Sequence, residues 1–284
     1  METQRLTVIS ALIILLSVGC ASRVPNVALI VGNGAYTHTT PLPNPARDAV
    51  AVGRMLDNMG WSVTTVSDLA RLDFDQVVDQ FVARVAEADQ AIFFYAGHGM
   101  QIDGKNYIVP ISFEPSVEGL NDLIALEGIL ERLSESEAQL VVVLDACRDN
   151  PLSGKLERDL ASEANRGLRI ILDRGSEHAG APARVSRQSV IGKGLAELSV
   201  SSGTLIAYAT QPGNVALDGE GQHSPFTAAI LSHAGTAEVE ISAALRRIRL
   251  SVIEDTDGQQ VPWDHSSLTK AFIINPRNTP PPPP

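Results

Sequence analysis

Two residues in this chain have the chemistry and the setting of a nucleophile and its proton partner: Cys147 and His98. Cys147 lies just past an apolar run, Leu140–Leu144, in L-D-A-C-R-D-N-P; His98 lies just past another, Ala91–Tyr95, in A-G-H-G-M. A thiolate is a strong nucleophile near neutral pH, and an imidazole moves protons in the same range. Taken singly, each has a plainer reading, as a small core hydrophobe and as a structural polar residue. Their neighbours favour chemistry. Gly97 and Gly99 strip side chains from both sides of His98, which suits close approach of another backbone. Asp145 and Arg148 make the surroundings of Cys147 polar, which an inert buried thiol does not need.

Something must hold these two residues together, and the apolar runs supply it. Val27–Val31, Ala91–Tyr95, Leu140–Leu144 and Thr204–Ala209 have the length and β-branched content of buried parallel strands, with Trp61–Val66 as a further strand. Helical patterns separate them. Asn44-Pro45 reads as an N-cap followed by first-turn proline, with Ala49, Val52, Gly53 and Leu56 on one face up to Gly60. Asp73 with Gln76 reads as a capping box ahead of an apolar stripe of Phe74, Val77, Val78, Phe81, Val82 and Val85. Later, Ser224 caps a helix through Phe226, Ile230 and Leu231, and Ile241, Leu245, Ile248 and Val252 mark another. The alternation predicts an α/β fold, a three-layer sandwich around a mostly parallel central sheet. In such sheets reacting groups collect at the carboxyl ends of strands. Three runs end there in unusual sequence: G-N-G-A-Y, A-G-H-G-M and D-A-C-R-D-N-P.

The segments Y-A-G-H-G-M-Q-I-D-G-K-N-Y-I-V-P and V-V-L-D-A-C-R-D-N-P resemble the histidine and cysteine motifs of caspase-like peptidases, closest to the bacterial branch related to metacaspases. The histidine lies about 50 residues upstream of the cysteine, the interval described for the caspase pair. V-A-L-I-V-G-N-G-A-Y, L-P-N-P-A-R-D-A, Y-A-T-Q-P-G-N-V-A-L-D-G-E-G-Q-H-S-P-F-T and Q-Q-V-P-W extend the likeness from about Val27 to Ile274. It implies a cysteine-type endopeptidase acting on protein or peptide substrates. Cys147 would form an acyl-enzyme, His98 would protonate the leaving amine, and the backbone N–H groups of Gly99 and Cys147 would hold the oxyanion. It also implies that Asp145 and Asp48 line a pocket for the arginine or lysine before the scissile bond. Pro45 departs from the pattern, since many metacaspases carry cysteine there. The plainer readings are a solvated helix residue for Asp48 and a loop-fixing acceptor for Asp145.

The chemistry needs no cofactor. Relatives of the family can depend on calcium, but no ligand set for it can be assigned: Asp255-Thr256-Asp257-Gly258 starts like a calcium loop and lacks the later ligands. Gly32-Asn33-Gly34 lacks the third glycine of a dinucleotide loop, and no zinc spacing is present. The net charge of −11 argues against nucleic acid as a partner. Arg246, Arg247 and Arg249 read as a solvated helix face.

Residues 1–20 read as a signal peptide ending in S-V-G-C, similar to a lipoprotein processing site at which Cys20 is lipidated; a plain secretory signal and an uncleaved anchor are the other readings. All of them place the protein in the periplasm or on the membrane of a bacterial envelope. Without Cys20, Cys147 is the only thiol, so no intramolecular disulfide can form. The domain is expected over residues 27–275, interrupted by a polar insert at 151–202 that reads as a long loop and is followed by a proline-rich tail, 276–284. Arg174, Arg184, Arg187 and Lys193 make the insert a candidate for self-cleavage, against an ordinary surface loop. Two other readings of the whole chain stay open: a non-catalytic binding module on the same fold, and a thiol hydrolase acting on a non-peptide amide.

Overall fold

The computed structural model describes residues 26–116, 118–147, 170–172, 183–185, 191–192, 195–196, 198, 201–211, 214 and 216–276. The leader with Cys20, Arg148, the insert residues Arg174, Arg187 and Lys193, and the tail from 277 lie outside the described residues.

Five strands run parallel: β1 (Val27–Gly32), β2 (Ser62–Ser67), β3 (Gln90–Ile102), β6 (Gln139–Cys147) and β10 (Thr204–Tyr208). With antiparallel β11 (Trp263–Ser266) on one edge, they line up as β11-β10-β6-β3-β1-β2. Beyond the parallel ladder, β3 continues into an antiparallel hairpin with β4 (Lys105–Ile108), which pairs β5 (Ile124–Ala125). Short strands β7 (Ile170–Leu172) and β8 (Ala183–Val185) pair with each other, and β9 (Ile191–Gly192) pairs with Gln101 and Ile102 of β3. The insert therefore contains strands where the sequence reads as loop, and Arg184 lies on β8.

All six residues of β1 are buried, because helices cover both faces of the sheet. Helices α2 (Arg71–Val85) and α3 (Leu126–Leu133) pack on one face. Phe74, Val78, Phe81 and Val85 there meet Leu29, Phe93 and Val142. Helices α1 (Pro45–Asn58), α4 (Pro225–His233) and α5 (Ile241–Asp255) pack on the other, where Val52, Leu56, Phe226 and Ile248 meet Ile30, Phe94 and Val141. Each fully buried side chain of this size contributes roughly 1.5–3 kcal/mol. These are the three expected layers.

Two helix starts differ from expectation. The capping box at Asp73 does not form: α2 begins at Arg71 behind Ala70, and Asp73 sits in the first turn, where its charge suits the helix dipole. Asn44 occupies the N-cap position of α1, but its side chain makes no cap bond. It donates instead to the carbonyls of Asp218 (2.6 Å) and Gly219 (3.4 Å), binding the start of α1 to the loop after β10. Ser224 does cap α4, accepting from the Thr227 N–H at 2.9 Å.

Candidate active site

His98 and Cys147 lie opposite each other in the backbone ladder of β3 and β6. They form the last rung of the parallel ladder, so their backbones are one strand spacing apart, about 4.8 Å. The sequence places His98 just past the end of a strand; in the structure it lies within β3, where that strand leaves the parallel sheet for the β4 hairpin. The change of partner creates the site. Val109 donates to the His98 carbonyl at 3.1 Å, so the adjoining Gly99–Ile108 pair is of the non-hydrogen-bonded kind. Its Gly99 N–H is therefore turned away from β4, toward β6. A Cβ at Gly97 (φ +151°) would stand 2.6 Å from the Tyr95 hydroxyl and 2.8 Å from that of Tyr36, so this position admits only glycine.

Those two hydroxyls fix the histidine backbone. His98 N–H donates to Tyr36 Oη at 2.7 Å, and Tyr95 Oη donates to the His98 carbonyl at 2.8 Å. The Tyr36 ring also lies against the imidazole, with centroids 4.4 Å apart. Sequence reasoning passed over both tyrosines, although each stands inside a motif already singled out, G-N-G-A-Y and Y-A-G-H-G-M-Q-I-D-G-K-N-Y-I-V-P. Tyr36→Phe removes the acceptor of a buried N–H and is expected to cost about 1–3 kcal/mol of stability. Urea unfolding of the variant measures it; an unchanged midpoint would show that the hydroxyl does not hold the backbone.

The His98 ring is buried, and its Nε2–H donates to the Thr40 carbonyl at 2.8 Å. That bond selects the tautomer with Nδ1 unprotonated. Among the described residues Nδ1 has no hydrogen-bond partner. Burial pulls the imidazole below its ordinary pKa, with the Thr40 carbonyl partly offsetting this. Neutral His98 is thus a base at pH 7, and Thr40 steadies the imidazolium once a proton arrives.

Asp145 and Asp48 come together from β6 and α1. Gly32 lets α1 approach: a Cβ there would fall 2.1 Å from the Pro45 carbonyl oxygen. Both carboxylates are buried, and Ser224 bridges them. Its hydroxyl donates to Asp145 Oδ2 in a short bond, and its N–H donates to Asp48 Oδ2 at 3.4 Å. Thr227 Oγ1 adds a second donor to Asp145 Oδ2 at 2.8 Å. His223 Nδ1 bonds Asp48 Oδ1 at 2.7 Å. Burial raises Asp48 to about 7, with Asp218 adding to the rise while the Ser224 N–H and Arg47 oppose it. Burial likewise lifts Asp145 to about 7, reinforced by the charge of Asp48. Asp218, too, is raised by burial. The solvated-helix reading of Asp48 fails on its burial. Asp218, His223 and Arg47 are members of the cluster that sequence reasoning missed; their only signal was a place in, or beside, the motifs D-G-E-G-Q-H-S-P-F-T and N-P-A-R-D-A. Three neighbouring carboxyls, Asp48, Asp145 and Asp218, thus resist ionisation together.

Among the described residues no group of three or more His, Cys, Asp or Glu side chains is arranged to hold a metal ion.

Comparison with known proteins bears on the family and the fold. A family model described as caspase domain matches residues 25–273. Human mucosa-associated lymphoid tissue lymphoma translocation protein 1 is 28% identical over 123 residues, 43% of this chain and 15% of its own length. Bovine caspase-4 is 25% identical over 123 residues, 43% of this chain and 32% of its own. The chain thus spans a minor part of either relative. Among solved structures, caspase-1 from Spodoptera frugiperda superposes with a TM-score of 0.59 at 15% identity, covering 89% of this chain and 91% of the other, a likeness of fold.

Proposed function

The chain belongs to the caspase domain family, and from that premise we propose that it is a cysteine endopeptidase that cuts protein or peptide substrates after arginine or lysine. Family membership supports proteolysis in general; the residue roles and the specificity are our reading of the site. The observation that carries it is the register that sets His98 opposite Cys147 on the final rung, with Asp145 two residues back along β6 and Asp48 of α1 beside it.

The chemistry follows from those positions. Cys147 gives its proton to His98 Nδ1, and the thiolate attacks the scissile carbonyl carbon. A C–S bond forms while the N–H groups of Gly99 and Cys147 hold the oxyanion, each worth roughly 3 kcal/mol by analogy with other peptidases. His98 returns the proton to the leaving amine as the C–N bond breaks. Water, deprotonated by the same imidazole, then cleaves the thioester and restores the thiol.

Specificity follows from the pocket's charge. An arginine guanidinium gains two charge-assisted partners only when Asp48 and Asp145 are ionised. Both titrate near 7, so kcat/KM for an arginine-ended fluorogenic peptide is expected to climb as pH rises through that value. Near pH 8 the preference for arginine-ended over aspartate-ended peptide should reach about 10³-fold. A peptide panel assayed across pH, with and without a thiol alkylating agent, tests this. Equal or better cleavage after aspartate would remove the basic-pocket reading. No cleavage of any peptide would leave the non-catalytic module as the description.

A further inference from the structure

We propose that His223 is a specificity-determining residue, the resident partner of Asp48 that an incoming basic side chain must displace, so that capture of the substrate cation expels a proton. This rests on the reading of Asp48 and Asp145 as the pocket for arginine or lysine.

The argument begins with who occupies Asp48. One oxygen, Oδ2, is taken from below by the Ser224 N–H, and the other, Oδ1, is taken by His223 Nδ1 at 2.7 Å. The Asp48 side chain is 1% exposed, whereas the His223 side chain is 26% exposed. The imidazole therefore stands on the solvent side of a carboxylate that solvent does not otherwise reach. A guanidinium arriving from solvent meets the ring first, and the oxygen it needs is the one the ring already holds.

The charges around His223 make the displacement pH-dependent. From α1 it faces Asp48 and the guanidinium of Arg47; on its own loop stands Asp218, while Asp145 lies on β6 across from Asp48. Burial and Arg47 both draw His223 below its ordinary pKa, so the ring is neutral at pH 7 and charges on the acid side. When charged, it repels a second cation, and Asp48, held up to about 7, is then protonated beside it. Binding is then an exchange. The Asp48 carboxyl beside His223 imidazolium, plus a substrate cation, becomes the carboxylate paired with the substrate cation, plus neutral His223 and two protons released to water, one from each group. Charge balances at +2 on each side, and nothing beyond solvent is required.

Glutamine at position 223 keeps an amide donor for Asp48 but cannot titrate, so His223→Gln isolates the exchange. The full chain carrying Cys147→Ala, so that nothing is turned over, is titrated with argininamide by calorimetry from about pH 5.5 to about pH 8.5, with and without His223→Gln. With histidine present, log Kd should fall with rising pH more steeply, by about one proton below neutrality. At about pH 5.5 the glutamine protein should bind about tenfold more tightly than its parent, and the gap should close by about pH 8.5. Parallel pH dependences in two proteins that both bind argininamide would overturn the role of His223 and leave the pocket intact. Absence of binding by both at every pH would overturn the basic pocket and the exchange with it.

Discussion

Cys147→Ala is expected to abolish cleavage of an arginine-ended peptide, a fall of at least about 10⁴-fold in kcat, and His98→Gln to lower it by about 10²–10⁴-fold. The reasons differ. Without the sulfur no acyl-enzyme forms, and water attacking the amide directly has only the oxyanion donors to help it. Without the imidazole the thiol stays protonated and the amine leaves without a proton. His98→Gln should therefore also slow alkylation of Cys147 near neutral pH, because alkylation reads the thiolate alone. Alanine at 147 closes the same backbone rung with His98, and melting curves should show both variants folded. The pair of measurements separates chemistry from collapse. A folded Cys147→Ala protein that keeps a tenth of the parent's activity would end the hydrolytic account.

How much of this site was legible in the sequence follows from how each part is held. The strands could be read because burial on both faces demands unbroken apolar runs such as Ala-Leu-Ile-Val in β1, and nothing competes with that signal. His98 and Cys147 could be read because they follow such runs and carry their own chemistry. The end of β3 could not: Ala-Gly-His-Gly-Met looks like a turn, since its glycines weaken any strand preference. Pairing with β6 as far as His98 and with β4 from Gly99 onward, contacts made by residues further along the chain, keeps it extended. The parts that orient the site were hidden for a related reason. Thr40 acts through its carbonyl, which every residue possesses, and Tyr36 and Tyr95 act through hydroxyls that a sequence shows only as aromatic residues suited to the core. His223 and Asp218 reach Asp48 and Asp145 from a loop that follows β10, and Asn44 ties that loop to α1 across more than half the chain. Chemistry borne by side-chain type was readable, whereas chemistry borne by backbone atoms and by distant loops was not.

The same crowding that we propose makes the pocket selective should make it costly, and one substitution pair exposes both effects. Asp48→Asn with Asp145→Asn keeps shape and hydrogen-bonding capacity while removing both charges. Two charge-assisted bonds to the substrate guanidinium are lost, so kcat/KM for the arginine-ended peptide should drop by about 10³-fold. Stability should move the other way. In the native state burial holds both carboxyls up to about 7, against an ordinary value of 3.8. Between those values the folded protein binds more protons than the unfolded chain, so native stability falls as pH rises through this window and stays reduced above it. The asparagines have no charge to bury. Near pH 8 the double variant should thus be more stable than its parent, by on the order of 2–4 kcal/mol in urea unfolding, and the advantage should shrink toward pH 4. Hydrogen bonds from Ser224 and Thr227 hold the gain below the full burial cost, since they favour the ionised Asp145 that the variant lacks. Lost activity with a flat stability difference across pH would mean that the carboxylates are not charged against their surroundings. A gain in stability with arginine cleavage intact would place the substrate's cation elsewhere. Only the two together, opposite in sign and linked through the same pH window, match a pocket kept under electrostatic strain until a cation enters it.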